Sequence, residues 1–263
     1  MTLLQAIFLG FIQGLSEFLP ISSSGHLAIA QHYMTDFHQP GVLFDVLLHV
    51  GTMVAVIFYF RREIALLALS PFRRGEEAAV YRRLLLLLIA ASVPTAIIGL
   101  TFKDFFEGLF ENIIVVGSML LVSGLLLFLA ERFRRQGRKE EALTLSDALV
   151  VGAVQGLAII PGISRSGSTI ATLLFKGVDG ETAARFSFLM ALPAVFGAAL
   201  LSLRDLSAVP AGSLPLYLAG AGIAFITGLL SIHFLMAIIR RRRLFYFAIY
   251  CWLIGSLVLT LSL

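Results

Sequence analysis

The chain is expected to be an all-α polytopic membrane protein with an inverted-topology repeat, each half a re-entrant helical hairpin plus three transmembrane helices. Three observations carry that expectation: an apolar composition, basic residues gathered into a few connections, and a polar phrase that occurs twice. With 59% hydrophobic and 14% charged residues and a mean hydropathy of +0.94, the 263-residue chain is too apolar for a water-soluble domain. The phrase runs from Gly10, Gln13 and Gly14 to Ile21-Ser22-Ser23-Ser24-Gly25. It returns from Gly152, Gln155 and Gly156 to Ile163-Ser164-Arg165-Ser166-Gly167, 142 positions on. Phe44 and Phe186 keep the same offset, so the duplication covers about half the chain.

About 20 apolar residues are needed to cross a hydrocarbon core of about 30 Å. Runs of that kind lie at 42–60, 84–102, 112–130, 183–203, 215–239 and 244–262. The apolar N-terminus has no basic leader and no small-residue cleavage site, and Gln5, Gln13 and Glu17 interrupt it, so it is not read as a cleaved signal. A single cysteine, Cys251, excludes an internal disulfide and is read as packing.

Charge placement sets the orientation. Of 20 Lys and Arg residues, 15 fall in three connections: Arg61, Arg62, Arg73, Arg74, Arg82 and Arg83; Arg132, Arg134, Arg135, Arg138 and Lys139; and Arg240 to Arg243. These connections are expected to be cytoplasmic, facing lipid headgroups rather than nucleic acid. Spans 42–60 and 183–203 must then start on opposite sides. The segments before them, about 1–34 and about 147–176, must therefore dip into the membrane and return. Residues 1–130 form the first repeat and 146–263 the second, inverted relative to it and part of one integrated membrane domain.

Pro20 and Pro161-Gly162 stop the first arm of each hairpin, and the serines that follow can cap the second arm. Broken helices at membrane depth must be buried in protein or line a wet cavity, and their N-termini present free N–H groups suited to an anion. Packing alone explains Gly and Ser there; it does not call for Glu17, His26 and Arg165. Gln13 and Glu17 stand one helical turn apart. A buried Glu17 is open to reading as a metal ligand, a general acid or base, or an architectural partner of Arg165. His26 suits proton transfer, and the planar fork of Arg165 suits a phosphate. Asp45, His49 and Arg185 are read as caps, ion pairs or outer supports of the site. His32, His38 and His233 are read as surface or packing histidines, and Phe102, Phe105, Phe106 and Phe110 as interfacial anchors.

The run from Gln13 through Glu17 and Pro20 to Ser22-Ser23-Ser24-Gly25-His26 resembles the (E/Q)xxxE motif and Ser-Gly-His turn of the bacterial undecaprenyl-diphosphatase family, the bacitracin-resistance proteins. Pro161-Gly162-Ile163-Ser164-Arg165-Ser166-Gly167-Ser168-Thr169 is similar to that family's PGxSRSxxT signature, and the hydrophobic layout is similar along the whole chain. One departure is Gln13 where many members carry Glu, which leaves a metal with one carboxylate rather than two. The resemblance implies hydrolysis of undecaprenyl diphosphate to undecaprenyl phosphate and inorganic phosphate, recycling the carrier of peptidoglycan synthesis and conferring bacitracin resistance. It implies Glu17, His26, Ser23 and Arg165 as catalytic residues, with Ser22, Ser24, Gly25, Ser164, Ser166 and Thr169 on the substrate. Glu17 with Gln13 would hold a divalent cation, Mg2+ or Ca2+. Ser22 or Ser23 could bind phosphate or act as nucleophile with His26 as base, and direct attack by water stays equally open. The segments KxxxxxxRP and SRxxxxxHxxxD of type-2 phosphatidic-acid phosphatases are absent, as is any zinc spacing such as HExxH. The competing reading from another class is a transporter or flippase of the lipid phosphate on the same repeat. The partners expected are a polyprenyl diphosphate and the bilayer, with no nucleic acid; a homodimer is compatible with the sequence. Location is expected in the bacterial inner membrane, with the site open to the periplasmic side.

Overall fold

The computed structural model describes residues 1–34, 43–133, 137–202 and 212–262. They contain α1 (Leu3–Phe18), α2 (Ser23–Tyr33), α3 (Leu43–Tyr59), α4 (Arg61–Leu69), α5 (Glu76–Thr101), α6 (Lys103–Leu109) and α7 (Ile113–Arg132). Then come α8 (Leu145–Leu157), α9 (Arg165–Phe175), α10 (Gly180–Ser202), α11 (Leu214–Arg240) and α12 (Phe245–Ser262). Among the described residues there is no strand, only an isolated parallel bridge between Arg138 and Val178. Five helices (α5, α7, α10, α11 and α12) are long and apolar enough to cross a bilayer. The pair α3–α4, bent by 79°, makes a sixth candidate. The chain is a multi-pass, all-helical membrane protein.

Where the expected spans and the helices differ, end chemistry explains it. The span expected at 84–102 starts at Glu76, because Gly75 breaks the chain at φ 115° and Glu76 and Glu77 favour the helix N-terminus. Arg82 and Arg83 are therefore helical and exposed rather than in a connection. The span expected at 42–60 ends at Tyr59, after which α4 turns away. Neither α4 nor α6 was anticipated; both are short and polar enough to pass for connections. Residues 42 and 203, His38, Arg134 and Arg135 lie outside the described residues, as does most of the connection before Ser213.

The first arm of each hairpin packs on a helix distant in sequence, α1 on α11 and α8 on α5, while α7 packs on α12 and α3 on both α10 and α11. Small residues permit the first two contacts. A side chain at Gly10 would collide with the carbonyl of Gly220, and one at Gly14 with the Thr227 hydroxyl. Likewise, Gly152 lies against the Ala91 carbonyl and Gly156 against Ile98. These are the close backbone approaches that drive association where lipid removes the hydrophobic term. Beneath the hairpin tips, Phe18 and Phe188 meet edge to face at 5.4 Å, both essentially buried.

A latch ties down the second hairpin. Arg138 donates to both carboxylate oxygens of Asp147 at 3.0 and 3.2 Å and to the carbonyls of Ala142 and Lys176. Lys176 Nζ approaches Asp147 at 3.3 Å. Arg83 reaches across to the carbonyls of Glu141 and Leu143. Burial alone would raise the Asp147 carboxyl, but hydrogen bonds from Arg138 and Thr144 outweigh it and bring it from 3.8 to about 2. Arg185 pairs with Glu140 and Glu181 at this end of the molecule, so it serves the latch region rather than the polar centre.

Candidate functional site

Both hairpins break as the prolines and glycines foretell. After α1, Leu19-Pro20-Ile21 turns the chain and Ser22 caps α2, accepting from the Gly25 amide at 3.2 Å with its own φ at 70°. After α8, Gly162 adopts φ 92° and Ser164 caps α9, accepting from the Gly167 amide at 3.0 Å. Ser123 of α7 holds the second turn from outside: its hydroxyl donates to the Gly162 carbonyl and accepts from the Ser164 amide, each at 2.9 Å. The two turns then meet. A Cβ on Gly25 would lie 3.0 Å from Gly162 Cα, one on Gly167 3.1 Å from Pro20 Cβ, and the Ser166 hydroxyl donates to the Leu19 carbonyl at 3.3 Å. Gly25 and Gly167 are thus the residues that let two helix N-termini converge.

Glu17 stands at that junction and is buried. One of its carboxylate oxygens is paired with Arg165 Nη2 from the other hairpin. The other accepts from Ser23 Oγ at 2.5 Å and Gln13 Nε2 at 3.0 Å, with His49 Nε2 at 3.6 Å. Four elements therefore supply one cluster: Gln13 and Glu17 from α1, Ser23 from α2, His49 from α3 and Arg165 from α9. A buried charge without such partners would not be tolerated. Gln13 Oε1 and Arg165 Nη1 are buried with no partner among the described residues. Beside Glu17 and Arg165 lies a shallow indentation, walled by Thr52, Met53 and Val56 of α3 and Leu192 and Val195 of α10.

The remaining expected residues divide by what their polar atoms already do. Ser22 and Ser164 are spent as caps, each 3.4 Å from a second serine, Ser24 and Ser166 respectively. Thr169 points into the helix packing, donating to the Arg165 carbonyl at 2.8 Å and sharing a 2.6 Å hydrogen bond with Ser187. His26 is not on Ser23. Its Nδ1 faces the Ser22 carbonyl and its Nε2 the hydroxyl of Tyr250, each at 2.8 Å. The hydroxyl of Ser23 is engaged by Glu17 instead. Asp45 accepts from Gln31 at 2.8 Å, and its carbonyl holds His49 Nδ1 at 2.8 Å, orienting the imidazole toward Glu17. Tyr250 and the direct part of His49 were missed from sequence, since a tyrosine and a histidine in apolar runs carry no spacing signal.

A divalent cation is compatible with this donor set only as a shared ligand. No three His, Cys, Asp or Glu side chains cluster among the described residues, so a cage made of protein alone is absent from them. Glu17 and the orphaned Gln13 Oε1 offer the oxygen donors that Mg2+ or Ca2+ take when substrate phosphates complete the shell.

Comparison with known proteins accounts for nearly the whole chain. Residues 6–257 match the family model described as bacitracin resistance protein BacA. An undecaprenyl-diphosphatase of Syntrophotalea carbinolica is 62% identical over 262 residues, covering 100% of both chains. One of Desulforapulum autotrophicum is 42% identical over 97% of this chain and 96% of its own, and one of Alkaliphilus metalliredigens 42% identical over 100% of both. With the family model spanning all but the ends and a full-length relative at 62% identity, the chain belongs to the bacitracin resistance protein BacA family.

Proposed function

We propose that this protein is a membrane phosphatase that hydrolyses undecaprenyl diphosphate to undecaprenyl phosphate and inorganic phosphate. The observation that carries the reading is the Glu17–Ser23–Arg165 cluster at the meeting of two buried helix N-termini. Relatives of full length bear the name of that activity.

Cleaving a diphosphate is chiefly a matter of holding an attacking oxygen in line and neutralising charge. Arg165 supplies the charge: Nη2 is fixed by Glu17, leaving the unpartnered Nη1 for an oxygen of the distal phosphate. First-turn amides of α2 and α9 that lack intrahelical acceptors add dipolar donors. Glu17 takes the proton of the attacking hydroxyl, either that of Ser23 or that of a water in its place. The new bond joins that oxygen to the distal phosphorus, and the bridging P–O bond breaks; when the oxygen is water's the distal phosphate is freed at once, and when it is Ser23's a water then cleaves the Ser23–phosphate bond to release inorganic phosphate and restore the hydroxyl. The bridging oxygen leaves with undecaprenyl phosphate. His26, three residues along α2 from Ser23 and so on the same face, is the second group able to carry a proton. A bound divalent cation, held by Glu17, Gln13 and the diphosphate, would add charge neutralisation.

Met53, Val56, Leu192 and Val195 of α3 and α10 stand beside Glu17 and Arg165, so the polar cluster has apolar neighbours as a lipid substrate requires. On this proposal the protein lies in the bacterial inner membrane with its arginine-rich connections cytoplasmic, and its site opens to the periplasmic side, as the family resemblance implies. The crossed pairing of α1 with α11 and α8 with α5 supports two halves related by an inverted repeat. Protein purified in detergent is predicted to release inorganic phosphate from undecaprenyl diphosphate, and chelation of divalent cations is predicted to reduce the rate. Absence of phosphate release from folded protein would refute the proposal.

A further inference from the structure

The His26 imidazole has a partner from the far end of the chain. Tyr250 of α12 lies 224 positions away in sequence, and its hydroxyl meets Nε2 at 2.8 Å. The two rings are nearly parallel, at 11° with centroids 5.5 Å apart. The next residue of α12, Cys251, is fully buried with Sγ 3.7 Å from the Pro20 carbonyl, so α12 is seated on the very turn that ends the first hairpin arm. Tyr250 is only 37% exposed, whereas Tyr246, one turn earlier, is 61% exposed. The two tyrosines thus differ: Tyr246 has the exposure of a membrane-interface anchor, and the less exposed Tyr250 has its hydroxyl on His26.

Donor and acceptor rules fix the proton positions. A backbone carbonyl only accepts, so Nδ1 carries the hydrogen given to Ser22 O. In the neutral ring Nε2 is then an acceptor, and the Tyr250 hydroxyl donates to it. A phenol can also accept. If Nε2 gains a proton during turnover, the same hydroxyl rotates and receives it, so His26 changes charge without leaving a polar atom orphaned. A phenylalanine would preserve the stacking and supply neither role.

We infer that Tyr250 is a positioning residue for the phosphatase reaction, holding His26, one turn along α2 from Ser23, as the Nδ1–H tautomer with Nε2 in its acceptor state. The inference rests on the hydrolase reading given above. It adds a member from α12 to a site otherwise built from the two hairpins and α3, so the C-terminal helix contributes to catalysis as well as to packing.

The test pairs kinetics with a measurement that needs no substrate. Tyr250→Phe is predicted to lower kcat about tenfold, the effect of one lost hydrogen bond to a working group, with KM within about twofold. In a His26→Gln background the same exchange is predicted to cost nothing further. In substrate-free protein carrying 15N-histidine, the His26 signal, assigned by its loss in His26→Gln, is predicted to show Nδ1–H with a hydrogen-bonded Nε2. It is predicted to shift in Tyr250→Phe. Unchanged kcat in Tyr250→Phe, additive losses in the double variant, or an Nε2–H tautomer in the parent protein would each overturn the inference. If the parent protein releases no phosphate, the hydrolase reading fails on its own, and the tautomer measurement still decides whether Tyr250 sets His26.

Discussion

Glu17 shows how one buried carboxylate organises a site. Its two oxygens draw partners from three further helices, and the Arg165 pairing closes the contact between hairpins. Removing the charge while keeping the shape, as in Glu17→Gln, leaves Arg165 a neutral amide oxygen as acceptor and, on the proposed mechanism, Ser23 without a base. Turnover is predicted to fall at least a hundredfold while the protein stays folded, a loss on the scale of removing a general base. At Gln13, by contrast, the present donor to Glu17 contributes no charge, and its Oε1 is already unpartnered among the described residues. Gln13→Glu is predicted to keep or raise activity at saturating divalent cation; complete loss would contradict the place given to that residue. Glu17, Arg165 and Ser23 were legible in sequence because polar residues clustered inside apolar runs need a reason. Tyr250 was not, and His49 was legible only as a cap, pair or outer support, because nothing in a linear pattern reports that α12 and α3 reach the hairpin tips.

At the scale of elements, the duplication extends to the helix caps. Thr2 and Gln5 form a capping box on α1, and Thr144 and Asp147 form one on α8, again 142 positions apart. In the second copy the box is charged and drawn into the latch with Arg138 and Lys176. The sign of its pH dependence follows from a depressed carboxyl. Asp147 contributes its stabilisation above the unfolded value of 3.8 and loses it as pH falls through about 2, where half of it is protonated in the folded protein. Asp147→Asn is predicted to melt lower than the parent at pH 7, with the gap closing in scans toward pH 2; a gap independent of pH would exclude the ion pair as its cause. The hairpins and long spans were readable from proline, glycine and run length. The helices α4 and α6, and the early start of α5 at Glu76, were not, since short or arginine-bearing helical segments look like connections until packing fixes them.

For the whole molecule, the two hairpins supply different halves of one chemistry. Gly10 and Gly14 have counterparts in Gly152 and Gly156, and both pairs press against a helix far away in sequence, so the frame is kept in both copies. Ser23 corresponds to Arg165 and Glu17 to Ile159 at the same offset, so the proposed mechanism draws its acid–base group from one copy and its phosphate-binding charge from the other. The central claim is that these form a single site joined across the hairpin tips. The most direct measurement is a double-mutant cycle on kcat/KM for undecaprenyl diphosphate, with Glu17→Gln, Arg165→Ala and both together, each checked for folding by its melting transition. Strong coupling is expected of a single site, the double variant losing little more than the worse single one. Losses that simply multiply would contradict it, by showing that Glu17 and Arg165 act independently.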